Sequence, residues 1–139
     1  MALVRVLLAD DNGEVLAYLC ERFGKEFEII GAVQDGKQAV DTAFRLDPDV
    51  LVLDISMPVL NGFQVAARLR DMKCRTKIVV LTTYEGSDYI SEAFSSGASA
   101  YVTKRHLATD LVMAIRSVLL GNTFISTSVE PPEVEGVIM

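Results

Sequence analysis

Pro48-Asp49-Val50-Leu51-Val52-Leu53-Asp54-Ile55-Ser56-Met57-Pro58 is the stretch on which the fold turns. Val50 to Leu53 is an unbroken apolar run that stops at a carboxylate and, past Met57, at a proline. Runs rich in Val and Leu without polar alternation mark strands covered on both faces, as in the middle of a parallel sheet. In open α/β sheets the chemistry lies beyond the carboxyl ends of the strands. Asp54 stands at that place.

Outward from this strand, the same alternation repeats in both directions. Leu3 to Ala9 is an apolar strand that ends in Asp10-Asp11-Asn12-Gly13, where Asp or Asn can cap a helix. Val15, Leu16, Leu19, Cys20 and Phe23 follow at helical spacing, with Cys20 expected as a small core residue, and Gly24 ends the helix. Phe27 to Val33 is a second strand, and Ala39, Val40, Ala43, Phe44 and Leu46 lie on a second helix. Beyond Pro58, Val65, Ala66 and Leu69 form the inward face of a third helix, and Lys77 to Thr82 is a fourth strand. Ser87 or Asp88 starts a helix that Gly97 stops. Ser99 to Thr103 is a fifth strand, shorter and more polar, expected at the sheet's edge. The last helix runs from about Leu107 to Leu120, with Gly121 as its stop. Five strand–helix alternations predict an α/β fold: a five-stranded parallel sheet in a three-layer α/β/α sandwich, with right-handed crossovers.

Composition narrows the function classes. At 139 residues the chain is one domain, long enough to bury a core. Mean hydropathy is +0.32, yet no apolar run approaches the length of a membrane span, so no membrane partner is expected. Met1-Ala2-Leu3-Val4-Arg5 is too short and too soon followed by acidic residues for a signal peptide. Cys20 and Cys74 show no metal-ligand spacing, which suits a reducing cytoplasm. A net charge of −6 and a pI near 4.7 argue against this chain gripping nucleic acid itself. Ser126 to Met139, with Glu130-Pro131-Pro132-Glu133, has no helical period and reads as linker or disordered tail. The expected division is residues 1–122 as the folded domain and 123–139 as the tail.

The strand ends together form a constellation. The first delivers Asp10 and Asp11, the third Asp54, the fourth Thr82 and Thr83, and the fifth Lys104. Two carboxylates about 4 Å apart repel by roughly 4 kcal/mol at an effective dielectric near 20. Three do not stay ionised together without a compensating cation. Oxygen-only ligands with room for water suit Mg²⁺ rather than zinc. The metal and Lys104 could together neutralise a phosphoryl group arriving on Asp54, since carboxylates serve as phosphate-accepting nucleophiles.

These residues resemble the response-regulator receiver domains of the CheY-like superfamily, from about Leu3 to Leu120. The resemblance rests on Asp10-Asp11, on Asp54 with Met57-Pro58 and Asn61-Gly62 behind it, on Thr82, and on Gly97-Ala98-Ser99-Ala100-Tyr101-Val102-Thr103-Lys104. Ala114-Ile115-Arg116 through Gly121-Asn122-Thr123-Phe124-Ile125-Ser126 is similar to the NarL/FixJ subfamily, whose receivers precede a DNA-binding helix-turn-helix. The resemblance implies that Asp54 accepts phosphoryl from a sensor histidine kinase or a small acyl phosphate. It implies Mg²⁺ bound by Asp11 and Asp54 directly, by Asp10 through water, and by the carbonyl of Ser56. Thr82 would hydrogen-bond the phosphoryl group, Lys104 would pair with it, and Tyr101 would turn inward as the switch when Thr82 moves. Such a chain is a regulator that catalyses only its own phosphorylation and dephosphorylation. It would act on DNA solely through an output domain expected to be missing here, and could form a homodimer on phosphorylation.

Two residues depart from the family's pattern. Thr83 stands where a smaller residue is usual, and Arg105 where a proline often follows the lysine. Rival functions also fit parts of the chain. A flavodoxin-like FMN carrier shares the strand order, but Asp10-Asp11 would repel its phosphate. A haloacid-dehalogenase-type phosphatase would carry an Asp two residues beyond its nucleophile, where this chain has Ser56. A pseudo-receiver acting as a phosphorylation-independent binding module is the other alternative. On the last helix, at about 100° per residue, Leu107, Leu111, Ala114, Ile115 and Val118 form the core face. Met113 and Leu120 fall nearly opposite, as a contact surface for a second copy or an output domain.

Overall fold

The computed structural model describes residues 3–126. Its elements run β1 (Arg5–Ala9), α1 (Gly13–Phe23), β2 (Glu28–Val33), α2 (Gly36–Leu46), β3 (Val50–Leu53) and α3 (Gly62–Asp71). They continue as β4 (Lys77–Thr82), α4 (Ser87–Ser96), β5 (Ala100–Thr103), a 3₁₀ turn at Lys104–His106, α5 (Leu107–Leu119) and β6 (Phe124–Ile125). The sheet is parallel throughout, in the order β2-β1-β3-β4-β5-β6.

All four residues of β3 are buried, as an unalternated strand in mid-sheet must be. Each such side chain contributes about 2 kcal/mol relative to exposure. One face of the sheet meets α2, α3 and α4 through Leu7, Leu51, Leu53, Val65, Leu69 and Tyr101. The other meets α1 and α5 through Val6, Val52, Leu19, Phe23, Leu111 and Ile115. The direction of winding reverses between β1 and β3, so the topological switch point lies between Asp10 and Asp54.

The parallel α/β sandwich forms as expected, and several of its details differ. The sheet has six strands, and β5, fully buried, is not its edge: β6 pairs beside it, with Tyr101 opposite Ile125. The folded unit therefore passes residue 122 and includes buried Ser126, whose hydroxyl accepts from the Thr103 N–H at 3.1 Å. The remainder of the expected tail, 127–139, lies outside the described residues. Cys20 is exposed, because α1 buries the narrower stripe Leu16, Leu19 and Phe23. Phe44 is also exposed. The small residues Ala39 and Ala43 bring α2 close to the sheet and leave the ring on the flank. On α5 the expected core face holds, with Leu107 half-buried, and Met113 and Leu120 are exposed.

The loop from β3 to α3 carries a strained residue. Val59 has φ +72°, a left-handed conformation that a β-branched side chain rarely adopts. Its neighbour holds it there: the Pro58 carbonyl accepts the N–H groups of Gly36 at 3.1 Å and Leu60 at 2.9 Å. The strain costs about 1–2 kcal/mol, and glycine returns about 0.5–1 kcal/mol of that as unfolded-state entropy. Val59→Gly is expected to stabilise the fold by about 0.5–1 kcal/mol, read as a higher urea midpoint. An unchanged or lower midpoint would show that the loop carries no such strain.

Candidate functional site

Strand register brings the site together before any side chain is considered. Ala9 pairs with Leu53, Leu53 with Val80, and Thr82 with Thr103, so the residues that follow emerge along one edge. The Asp54 N–H donates to the Ala9 carbonyl at 3.0 Å, and the Asp10 N–H to the Val33 carbonyl at 3.1 Å. The helix cap of α1 is Asn12, whose side chain accepts from the N–H groups of Glu14 and Val15. Asp10 and Asp11 are thereby left for other work, and Asp10 Oδ1 instead accepts from the Asn12 N–H at 2.9 Å.

Asp10 and Asp54 are buried, while Asp11 is exposed. One carboxylate oxygen from each lies within 4.8 Å of the others. Lys104 Nζ lies 2.7 Å from Asp10 Oδ2 and 3.2 Å from Asp54 Oδ2. Asp54 Oδ1 accepts from the Ile55 N–H at 2.7 Å. Burial pushes the Asp54 carboxyl above its ordinary range, and Asp10 adds to this, while Lys104 and the Thr82 hydroxyl oppose it. Burial would lower the Lys104 ammonium, but its hydrogen bond to Asp10 and the charges of Asp54 and Asp10 outweigh that and hold it above normal.

Among the described residues the carboxylates outnumber the single ammonium, and no His or Cys joins the cluster. Hard oxygen donors short of positive charge fit a hard divalent cation and do not suit zinc. Asp10, Asp11 and Asp54 could hold one.

The remaining expected residues lie around this core. Ser56 is exposed in the loop just beyond Asp54. Thr82 is fully buried, and its Oγ1 accepts from the Tyr84 N–H at 3.3 Å. Tyr101 is already inward, with no exposed surface, and its hydroxyl donates to the Tyr84 carbonyl at 2.9 Å. Burial, with nearby charges, pushes its phenol well above the ordinary range. His106 faces Thr103, with Nδ1 3.3 Å from its Oγ1.

Two glycines missed as site residues support the loop that follows β3. A Cβ on Gly62 would come within 2.4 Å of the Asp54 carbonyl oxygen. A Cβ on Gly36 would come within 2.1 Å of the Leu60 carbonyl oxygen. Asn61-Gly62 enters the sequence reading only as part of the family resemblance. The available signal was a glycine at the first helical position, right after a capping Asn, where helix propensity alone disfavours it.

Residues 6–116 match the family model of the response regulator receiver domain. The chain belongs to that family. Among curated relatives, this receiver is 33% identical to the transcriptional regulatory protein DesR of Bacillus subtilis, over 86% of the chain and 60% of DesR. It is 35% identical to the transcriptional regulatory protein PdtaR of Mycobacterium tuberculosis, over 80% of the chain and 54% of PdtaR. The chain thus spans little more than half the length of these relatives. The crystal structure of a LuxR-family two-component response regulator from Aurantimonas superposes with a TM-score of 0.87 at 26% identity, covering 92% of this chain and 93% of that one. A LuxR-family DNA-binding response regulator from Staphylococcus aureus gives 0.80 at 27% identity, covering 84% and 99%. The chain is a receiver domain of the two-component kind, with the CheY-like fold. Among its described residues, no helix is long and apolar enough to cross a membrane.

Proposed function

We propose that Asp54 is the phosphoacceptor of this receiver. The observation that carries this is the placement of Lys104 between two buried carboxylates, Asp10 and Asp54, with the Thr82 hydroxyl beside Asp54. A carboxylate oxygen of Asp54 attacks phosphorus. The bond from phosphorus to a kinase's histidine nitrogen, or to the oxygen of an acyl phosphate, breaks, and its electron pair leaves with the donor. Asp10, Asp11, Asp54 and the Ser56 carbonyl would hold Mg²⁺, which supplies positive charge against the incoming phosphoryl oxygens. Lys104 and Thr82 supply the rest: a cation and a hydroxyl donor already in place, so little reorganisation is needed as charge develops. Thr83, exposed beside Thr82, narrows the approach of donor and water. The chain catalyses only its own phosphorylation and hydrolysis.

Phosphorylation adds about −1.5 to −2 charges, which biases an equilibrium poised within a few kcal/mol. The path runs from the phosphoryl group through Thr82 and Tyr101 to the surface around α4 and β5. Downstream, the reading is control of transcription through a DNA-binding output domain. Self-association on phosphorylation would use the exposed Met113 and Leu120 of α5.

Incubation with acetyl phosphate and Mg²⁺, followed by intact mass, tests the assignment. One phosphate is expected on the wild type, and none with EDTA or in Asp54→Asn. A wild type that gains no phosphate would leave a phosphorylation-independent binding module instead.

A further inference from the structure

Arg105, where many receivers have proline, has a use that the phosphoryl chemistry does not account for. Its guanidinium grips Glu85 with two prongs: Nε to Oε2 at 2.8 Å and Nη2 to Oε1 at 2.9 Å. Glu85 lies in the loop between β4 and α4, and Arg105 in the 3₁₀ turn that also carries Lys104. This joins the two strand ends from which Thr82 and Lys104 reach Asp54.

The rest of the loop is tied residue by residue. The Tyr84 N–H donates to the Thr82 hydroxyl at 3.3 Å, and the Tyr84 carbonyl accepts from the Tyr101 hydroxyl at 2.9 Å. The Tyr84 ring stacks on Tyr89, with centroids 4.9 Å apart and planes 12° from parallel. Beyond Glu85 comes Gly86 at φ +136°, a backbone setting in which other residues are strained, and α4 begins. Without Glu85 held, that glycine offers a pivot about which the loop can swing, carrying the Tyr84 peptide and its bond to Thr82.

We propose that Arg105 is a positioning residue: its two-pronged grip on Glu85 fixes the β4–α4 loop, and so holds Thr82 in a constant relation to Lys104 across Asp54. This rests on Asp54 being the phosphoacceptor. A single exposed ion pair usually contributes little. A bidentate Arg–carboxylate pair is the geometry that does more, because the planar fork fixes direction as well as distance. The expected effect is correspondingly modest and lies on rate, since catalytic groups held in place avoid reorganisation.

The test compares Arg105→Ala, Glu85→Ala, the double variant and the swapped pair Glu85→Arg/Arg105→Glu. Acetyl phosphate is the donor and intact mass the readout. Each single variant should phosphorylate about threefold more slowly, with Mg²⁺ affinity unchanged because the carboxylates are untouched. The double variant should be no slower than either single one, and the swapped pair should recover part of the rate. Wild-type or faster rates in both single variants would overturn the proposal, as would two effects that simply multiply in the double. Amide hydrogen exchange at Thr83 to Gly86 in the unphosphorylated protein reads the clamp by itself. Faster exchange in Arg105→Ala supports it, and unchanged exchange overturns it. A wild type that takes no phosphate would remove the phosphoacceptor assignment, while the exchange measurement would still decide the clamp.

Discussion

Lys104→Ala is expected to destabilise the metal-free protein by about 3 kcal/mol, the scale of leaving buried charge without its partner. The side chains of Asp10 and Asp54 are only 4% and 8% exposed, and Lys104 is the cation that touches both. Removing it leaves two buried carboxylates facing each other, with Asp11 close by. Alanine also lacks the bulk to fill the space, so nothing offsets the loss. If the cluster holds Mg²⁺, adding the metal should restore more stability to the variant than to the wild type, because ligand binding to the folded state adds stability by mass action. Urea unfolding in EDTA and in excess Mg²⁺ measures both effects. Equal midpoints for variant and wild type in EDTA would mean that Lys104 is a surface charge with no hold on the carboxylates. In signalling, the variant should still acquire phosphate, slowly, but fail to convert it into a changed surface around α4 and β5.

Gly62→Ala should be nearly as damaging, for a reason that is entirely steric. Gly62 opens α3, and its N–H donates to the Ile55 carbonyl at 2.8 Å. The helix therefore starts directly against the backbone of the site. A Cβ there would sit 2.4 Å from the Asp54 carbonyl oxygen and 2.9 Å from the Ile55 Cα. Both are backbone atoms, with no rotamer to swing away. Either α3 retreats from its core contacts through Val65 and Leu69, or the segment carrying Asp54 shifts. The first costs about 3 kcal/mol, at the upper end of ordinary overpacking. The second misplaces the proposed acceptor, and a displacement near 1 Å can cost about 100-fold in rate. Gly13→Ala is the internal control, since its Cβ would meet only the Gln34 side chain at an ordinary 3.6 Å. Equal melting temperatures and phosphorylation rates for Gly62→Ala and Gly13→Ala would refute the close approach.

The sequence made the layers and the acidic edge legible because both depend on short-range patterns. An unalternated run such as Val50 to Leu53 can only be covered on both faces, and the residue that follows it must then lie at the sheet's carboxyl edge. The expected strand Lys77 to Thr82 has the same bounds as β4 for that reason. Other features depend on what lies alongside, which no local pattern carries. Phe124–Ile125 is too short to read as a strand, and it pairs only because β5 offers it an edge. Cys20 and Phe44 sit on the shoulders of apolar stripes, and burial there is set by how closely the helix approaches the sheet. The position of Tyr101 followed from neither its type nor its strand. It is buried in the core cluster shared with α2, α3 and α4, and the Tyr84 carbonyl takes its hydroxyl. Gly36 and Gly62 take their weight only from the close approach of two backbones, which no local pattern shows.

The central claim is that the phosphoryl group forms an acyl phosphate on Asp54, and borohydride trapping tests it most directly. Borohydride reduces an acyl phosphate on an aspartate to homoserine, releasing phosphate and marking the residue in its peptide. Wild-type protein treated with acetyl phosphate and Mg²⁺, then reduced and digested, should carry homoserine at position 54 and at no other aspartate. Homoserine at Asp10 or Asp11 with Asp54 unmodified, or phosphate that survives reduction on a hydroxyl side chain, would contradict the account.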